Sequence, residues 1–435
     1  MSVSKLPCFY SLHGINYKNG YVTSCPTQVN QLHLLDGAVP SSFINNEEFK
    51  DHRLQLWNGK WPSGCHQCEE EEILGNKSMR MDCTDKYDES FFNPETGEID
   101  FKSIQHIELR FNNSCNMSCL HCDSVFSSGW ETALKKYVPD EKTIYLNLQQ
   151  LTKQRHTAKI DNKQLPRIDM KIEEVDRVAD DLIKNFPNIL EFNVSGGEPL
   201  KQKQFFHLLD RMKEHPNASN MQAMFYTNFN ADFDPIALAE KLSYFEESVI
   251  HISVDSGKNL YPYFRDGSWS KLKHNIKIFK ESGKVNNLVS GICTTSIYQL
   301  MDLYNVFEDM LTLDVDLIEC AMVYTPEYIN PGILMHDFPD EVRKDIDKTR
   351  KMIENSNSKL KESALKGLDH IEEYMTNHII ELYNTTKQDT ELNNTERFIK
   401  YVEQSDKLFD KDFNSTFKKY QINNNKLIRI NKEPL

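Results

Sequence analysis

Three cysteines at the spacing C-x3-C-x2-C, Cys115, Cys119 and Cys122, directly follow an alternating run that reads as a strand. A cubane iron–sulfur cluster normally takes four thiolates, so three on one short loop leave one iron free for a non-protein ligand. A zinc knuckle would need a fourth ligand, and the only near candidate, His121, does not fit the usual spacing. A disulfide pair would leave one thiol over. The triplet therefore predicts a metal site.

A second candidate site lies in the stretch Ser-Gly-Gly-Glu-Pro-Leu, where Gly196, Gly197 and Glu198 follow a strand-like run and precede a helical pattern. Two glycines at the end of a strand allow a ligand to approach the backbone closely. Taken alone, this stretch is an ordinary strand-to-helix turn. Its occurrence downstream of the cysteine triplet indicates that the two motifs serve one site.

The elements that must position these motifs alternate along the middle of the chain. Amphipathic helical patterns separate six strand-like runs, near 105–111, 190–195, 221–227, 248–255, 286–295 and 316–323. Such alternation predicts a parallel sheet with crossover helices. Six units are too few for a closed eight-stranded barrel. The predicted fold class is therefore α/β, with a partial (β/α)6 TIM-like barrel.

Taken together, the cysteine triplet and the Gly-Gly-Glu-Pro turn of this predicted barrel resemble those of the radical S-adenosylmethionine (SAM) superfamily. The resemblance covers roughly residues 101–330. It extends to Asn228 after the third strand, to Ser253 and Asp255 on the ribose-side strand, and to an Arg-x-Gly stretch that begins at Arg265. His121 stands where the family usually carries an aromatic residue, and an imidazole can also stack on adenine.

The resemblance implies that Cys115, Cys119 and Cys122 hold a 4Fe-4S cluster that binds SAM. Gly196, Gly197 and Glu198 would then receive its methionyl amino group, while Asn228, Ser253 and Asp255 would meet ribose or carboxylate. An electron, from a reductant such as flavodoxin or ferredoxin, would cleave SAM to a 5'-deoxyadenosyl radical that abstracts a substrate hydrogen. The expected substrate is a peptide, a protein side chain or a small metabolite.

The first 100 residues carry four more cysteines, Cys8, Cys25, Cys65 and Cys68, the last two in a C-x2-C pair after a glycine. This layout, with Asn46, Glu48 and Arg53, resembles the auxiliary-cluster module called SPASM or twitch, placed before the barrel. The resemblance implies a second 4Fe-4S cluster. A structural zinc site would use the same four thiolates, and Cys83 could replace one ligand.

The 435 residues are expected to divide into an auxiliary domain at 1–100, the barrel at 101–330 and a helical C-terminal extension at 331–435. Composition sets the remaining expectations. The absence of a long apolar run and of an apolar leader predicts a cytoplasmic protein without a membrane span or signal peptide. The net charge of −14 disfavours nucleic acid as a partner. A basic insertion at 131–170 reads either as a solvated loop or as a lid over the barrel mouth.

Two other functions stay open from the sequence. One is a non-catalytic iron–sulfur or zinc scaffold, which would have no need of the Gly-Gly-Glu turn. The other is a radical enzyme that modifies nucleic acid or a nucleotide, which would require the basic insertion to line the active-site mouth. The joint presence of the two motifs favours an enzyme.

Overall fold

A nine-stranded sheet in the order β3-β2-β1-β4-β5-β6-β7-β8-β9 forms the centre of the computed structural model. The structure describes residues 5–18, 21–26, 33–34, 38–73, 75, 77–123, 126–136, 169–283, 287–323, 327–377 and 393–430. The strands are β1 (Gly14–Lys18), β2 (Tyr21–Thr23), β3 (His33–Leu34), β4 (His106–Arg110), β5 (Glu191–Val194), β6 (Gln222–Thr227), β7 (Glu247–Ser253), β8 (Asn287–Thr295) and β9 (Leu317–Met322).

Strands β4 to β9 are the six strands that the sequence predicts, and each pairs in parallel with the next. Crossover segments that contain helices connect them, as parallel strands require. The predicted fold class, an α/β protein with a partial TIM-like barrel, is confirmed. All the carboxyl ends of these strands therefore lie at one rim, where the cysteine loop and the Gly-Gly-Glu turn begin.

The helices that the structure describes lie before, between and after these strands in the chain. Their bounds are Phe9–His13, Pro40–Phe43, Glu47–Trp57, His66–Ile73, Met79–Asp82, Ser128–Lys136, Ile172–Asn185, Lys203–Met212, Pro235–Leu242, Tyr261–Arg265, Trp269–Glu281, Ile297–Met301, Leu303–Met310, Gly332–Asp337, Pro339–Glu354, Lys361–Asn377, Asn394–Phe409 and Phe413–Thr416. The helix Ile172–Asn185 buries Val175, Val178 and Leu182, as its helical spacing predicts.

The two faces of the sheet differ sharply in polarity. Because successive side chains of a strand alternate in direction, one face carries residues such as Leu109, Phe192 and Ile250, which are buried. The inner face carries mainly polar side chains. On β4 to β6 these include His106, Glu108, Arg110, Glu191, Asn193, Gln222 and Tyr226, and on β7 to β9 they include Glu247, His251, Ser253, Ser290, Thr294 and Glu319.

The N-terminal segment continues this sheet. Strand β1 pairs in parallel with β4, and β2 and β3 add antiparallel strands at the edge. Arg53 organises the helices around them: it is 2% exposed and donates to the carbonyls of Ser11, Ile44 and Gly97. The division of the chain at residue 100 stays a prediction, but the sheet itself crosses that point.

The C-terminal extension is helical, as predicted, and it covers the other edge of the sheet. Ser363 in the helix Lys361–Asn377 accepts a hydrogen bond from the backbone N–H of Ile318 in β9, at 3.0 Å. A helix in this place protects an otherwise open strand edge. The chain then forms the helix Asn394–Phe409 and a two-stranded hairpin, β10 (Tyr420–Asn423) with β11 (Lys426–Arg429), which the sequence did not predict.

Two further expectations concern the surface. Across the described residues, no helix combines the length and the apolar character needed to cross a membrane. The basic insertion at 131–170, which the sequence leaves open as a solvated loop or a lid, lies outside the described residues except for its two ends.

Replacing Arg53 with Met should lower the free energy of unfolding by on the order of 3 kcal/mol, because several buried carbonyls lose their donor. The urea midpoint, followed by circular dichroism, measures this change. Arg343→Met is the control, since Arg343 is largely exposed and lies 3.9 Å from Asp340, and its midpoint should stay close to that of the parent protein. Equal midpoints for the two variants would contradict the role assigned to Arg53.

Candidate active site

The cysteine loop has no regular structure of its own and is held by partners from other elements. The indole Nε1–H of Trp130 donates to the carbonyl of Cys119 at 2.8 Å. The backbone N–H of Leu120 donates to the carbonyl of Phe264 at 2.9 Å, and the Tyr401 hydroxyl donates to the carbonyl of Leu120. These bonds anchor the loop on three helices, including one from the C-terminal extension.

The loop brings its three thiols near one another, because Cys115 and Cys119 both contribute to the electrostatic environment of Cys122. Burial raises the pKa of Cys115 to about 12 and also raises that of Cys119 and Cys122. Free thiols are therefore the resting form, and metal binding would release their protons. The donor set fits a cluster with one open iron.

In the described part of the chain, no three His, Cys, Asp or Glu side chains converge as they would around a single metal ion. A four-iron cluster does not require that convergence, because each thiolate binds a different iron.

The Gly-Gly-Glu turn lies against the cysteine loop. Gly196 and Gly197 have φ of +81° and +60°, which a residue with a side chain rarely adopts. A Cβ on Gly196 would lie 2.4 Å from the Arg110 side chain, and one on Gly197 would lie 2.6 Å from the carbonyl oxygen of Ser114. The backbone here is therefore a cradle that only glycine can form.

Glu198 fixes this turn to the next strand. Its carboxylate accepts hydrogen bonds from the Thr227 hydroxyl and the Asn228 backbone N–H, both at 2.6 Å, and from the Leu200 N–H at 3.0 Å. Burial raises its pKa, against the effect of these three bonds. Three of the roughly four acceptor positions of the carboxylate are therefore in use, and the Gly196 carbonyl of the turn accepts a hydrogen bond from the Gln202 amide at 3.1 Å.

The residues that are predicted to contact the ribose or carboxylate of SAM differ in their surroundings. Asn228 is 4% exposed and donates from Nδ2 to Asn116 at 3.0 Å, with the Cys115 sulfur 3.9 Å away. Ser253 ends β7 at the same rim and is partly accessible. Their contacts with a bound nucleoside stay predictions, but both lie at the same rim as the strand ends from which the two motifs begin.

Asp255 forms the centre of a buried ionic cluster. It is fully buried, accepts from the Thr294 backbone N–H at 2.6 Å and forms an ion pair with Arg265. The imidazole Nε2 of His121 lies 3.8 Å from its carboxylate, and the His121 ring stacks on Phe264 with centroids 5.1 Å apart. In this arrangement Asp255 holds the cysteine loop to β8, and its predicted contact with ribose stays a prediction.

The four N-terminal cysteines that the sequence singles out surround one cavity, and their role as metal ligands stays a prediction. Cys8, Cys25, Cys65 and Cys68 line one cavity of about 400 Å3, counted with its opening to solvent. Burial raises the pKa of Cys8 to about 12, and Cys25 and Cys68 add to the effect. Cys83 does not line this cavity. Its sulfur lies 3.9 Å from the Tyr10 hydroxyl instead.

His52, which the sequence analysis did not single out, also lines this cavity. Its Nε2 lies 3.2 Å from the Cys65 sulfur, and its Nδ1 lies 3.2 Å from the Ser24 hydroxyl. Burial lowers the pKa of His52 to about 4, so the ring is neutral. Such a ring can donate one hydrogen bond to a thiolate, as residues behind metal ligands commonly do.

Trp130 and Tyr401 were likewise missed as parts of the site. Both bind backbone carbonyls of the cysteine loop, a role that leaves no motif in the sequence. Arg265 and Asp255 did carry a signal, through the Arg-x-Gly stretch and the end of β7, but only the structure pairs them.

Residues 109–303 match the family model described as the radical SAM superfamily. The match covers less than half of the 435 residues, and the matched region contains the cysteine loop, the Gly-Gly-Glu turn and Asp255, so the chain is similar to this superfamily there. This family implies a 4Fe-4S cluster and SAM, and the donor set and cradle described above fit both. No curated protein matches the chain.

The chain is also similar to solved structures. Native anSMEcpe with bound AdoMet matches at 16% identity and a TM-score of 0.35, over 50% of this chain and 50% of that one. Streptococcus suis SuiB bound to S-adenosylmethionine matches at 14% identity and a TM-score of 0.32, over 56% and 48%. SuiB bound to precursor peptide SuiA matches at 13% and 0.33, over 68% and 62%. The chain spans about half the length of the first of these.

Asp255→Asn should lower the free energy of unfolding by about 3–5 kcal/mol, because it leaves the buried Arg265 without its counter-charge. Urea unfolding of the metal-free protein measures this loss. The control is Asp232→Asn, which removes an exposed carboxylate paired with Lys271 and should leave the urea midpoint nearly unchanged. A parent-like midpoint for Asp255→Asn would show that the ionic cluster does not support the loop.

Proposed function

We propose that the protein is a radical SAM enzyme that abstracts a hydrogen atom from its substrate. Cys115, Cys119 and Cys122 would hold a 4Fe-4S cluster, which, once reduced by an external donor, would supply the one electron that splits SAM into methionine and a 5'-deoxyadenosyl radical. The supporting observation is that the two motifs interlock. The Glu198 backbone N–H donates to the Ser114 carbonyl at 2.8 Å, and the Lys201 ammonium donates to the Cys115 carbonyl at 3.1 Å.

The contacts between the two motifs suggest how the residues around them would bind SAM. The carbonyls of the turn would receive the amino group of SAM, and Glu198 would hold them in place through Thr227 and Asn228. His121, stacked on Phe264, would offer a flat surface for the adenine. Because all these groups are already held by hydrogen bonds, binding would need little reorganisation.

We propose further that the cavity lined by Cys8, Cys25, Cys65 and Cys68 holds an auxiliary 4Fe-4S cluster, in a module of the SPASM or twitch type. The support is the shared cavity and its four thiols. A neutral His52 beside Cys65 suits a cluster sulfur ligand, since hydrogen bonds to sulfur tune such centres. Zinc at the same thiols is the alternative, and metal analysis separates the two.

The reductant, of the flavodoxin or ferredoxin type, and a cytoplasmic location are parts of the same proposal. The scaffold alternative would leave the glycine cradle without a ligand. A nucleic-acid substrate is disfavoured by the net charge of −14.

Anaerobically reconstituted protein should contain about eight irons and produce 5'-deoxyadenosine with SAM and dithionite. Cys119→Ala should abolish that product and leave the iron of the N-terminal site, whereas Cys65→Ala with Cys68→Ala should remove only the second centre. Cys83→Ala is the control and should keep all the iron. Deoxyadenosine formation by Cys119→Ala would refute the proposed function, and about four irons with zinc would reassign the N-terminal cavity.

Gly196→Ala should retain its iron but bind SAM at least about tenfold more weakly, because the added methyl group strains the backbone and displaces Arg110. Equilibrium binding of SAM to the reconstituted protein measures the effect. Gly283→Ala is a matched control: its φ is +62°, yet a Cβ there would meet nothing closer than 4.0 Å. If both variants bind SAM like the parent, the turn is not the SAM cradle.

A further inference from the structure

The inner face of the sheet leaves accessible space around Tyr226 that the functions assigned above do not use. Tyr226 is 40% exposed although it lies on the inner face of a central strand. It immediately precedes Thr227, whose hydroxyl binds Glu198. The space therefore lies beside the proposed SAM site and is open to a ligand.

Carboxylates dominate the charge of this space. Burial, with Glu108, Glu319 and Glu191 in that order, raises the pKa of Tyr226 to about 12, so all three carboxylates act on its hydroxyl. Glu319 remains half-exposed although it accepts a hydrogen bond from Ser290. An anionic ligand would meet strong repulsion here, and a cation would be attracted.

Arg110 is the nearest permanent cation on the inner face, and its charge is already balanced by other groups. It lies 3.9 Å from Glu108, donates to the Ser195 hydroxyl at 3.2 Å and covers the ring of Phe126 at 4.5 Å. It therefore does not offset the charge of Glu319, whereas Glu191 lies 3.1 Å from the imidazole of His106.

Asn193 provides a second, independent sign of a ligand. It is 8% exposed, and its Oδ1 has no hydrogen-bond partner among the described residues. It stands next to Glu108 in the register of β4 and β5. Because a buried acceptor without a partner is unfavourable, this oxygen suits a ligand that donates hydrogen bonds.

The aromatic side chains favour the same kind of ligand. The rings of Tyr226 and His251 stack with centroids 4.7 Å apart and 16° between their planes. His251 in turn lies 3.4 Å from the Glu319 carboxylate. A stacked, partly exposed phenol beside a carboxylate is a favourable site for an organic cation.

We propose that the space around Tyr226 binds the cationic nitrogen of the substrate, an ammonium or guanidinium group, beside the Tyr226 ring and in the field of the Glu319 carboxylate. The inference that the bound molecule is a substrate rests on the proposed function. The inference that the space binds a cation is independent of that function. The cation can belong to a lysine or arginine side chain of a peptide or to a free amine.

The test is equilibrium binding to reconstituted protein with SAM and without reductant. The probes are N-acetyl-Gly-Xaa-Gly-amide peptides with Xaa as Lys, Arg, Gln or Glu, and n-butylamine. We expect the Lys or Arg peptide to bind at least about tenfold more tightly than the Gln and Glu peptides. Similar binding of n-butylamine and the Lys peptide would identify a free amine as the molecule that carries the cation. Tighter binding of the peptide would identify a peptide side chain instead. Equal binding of all the peptides, or none, would overturn the proposal.

Glu319→Gln should weaken binding of the cationic probe by about tenfold, through loss of the charge alone. Glu247→Gln is the matched control: Glu247 faces the same side of the sheet, but it accepts from Gln222 at the amino end of β7. Unchanged binding in Glu319→Gln would overturn the proposal. Deoxyadenosine formation, measured on the same protein preparations after dithionite is added, reports separately on the proposed function, so cation binding without SAM cleavage would overturn that function alone.

Discussion

The buried ion pair between Asp255 and Arg265 is the interaction on which the rest of the site depends. The cysteine loop has no ladder of backbone hydrogen bonds, so its shape must come from outside contacts. Asp255 binds the end of β8 through Thr294 and binds Arg265, whose backbone carbonyl lies 3.5 Å from the Cys119 sulfur. The pair thereby joins two strand ends to the loop. Its burial makes it costly to break, since either partner alone would be an uncompensated charge.

The same logic extends to the C-terminal extension. Tyr401 binds the loop carbonyl at Leu120, and the hydroxyl of Tyr263 donates to Asp406 at 2.8 Å. The helix Asn394–Phe409 is thus part of the structure around the cysteines. A radical centre needs ligands that do not move and a site from which water is excluded, and a loop anchored on several separate segments meets the first need.

Sequence reasoning predicted the parts that follow from periodicity and from spacing. The alternation of Ile107, Leu109 and Phe111 located β4, and the cysteine spacing located the loop, because each depends only on neighbours in the chain. Strand β1 was missed because its pairing with β4 joins residues about 90 positions apart. The hairpin β10–β11 was missed because its polar residues resemble a loop. The roles of Trp130 and Tyr401 depend on contacts between distant segments, which no local pattern encodes.

Strand β4 also relates the two groups of cysteines to the inner face. Its carboxyl end leads into the loop with Cys115, while His106 at its amino end contacts the ring of Tyr10, which lines the N-terminal cavity, with centroids 5.3 Å apart. At roughly 3.3 Å per residue, the four steps from His106 to Arg110 span about 13 Å. Glu108 on β4, and Glu191 and Asn193 on the neighbouring β5, lie along this distance. A molecule held on the inner face would therefore lie between the two sets of thiols. The polar side chains of that face would determine which molecule binds.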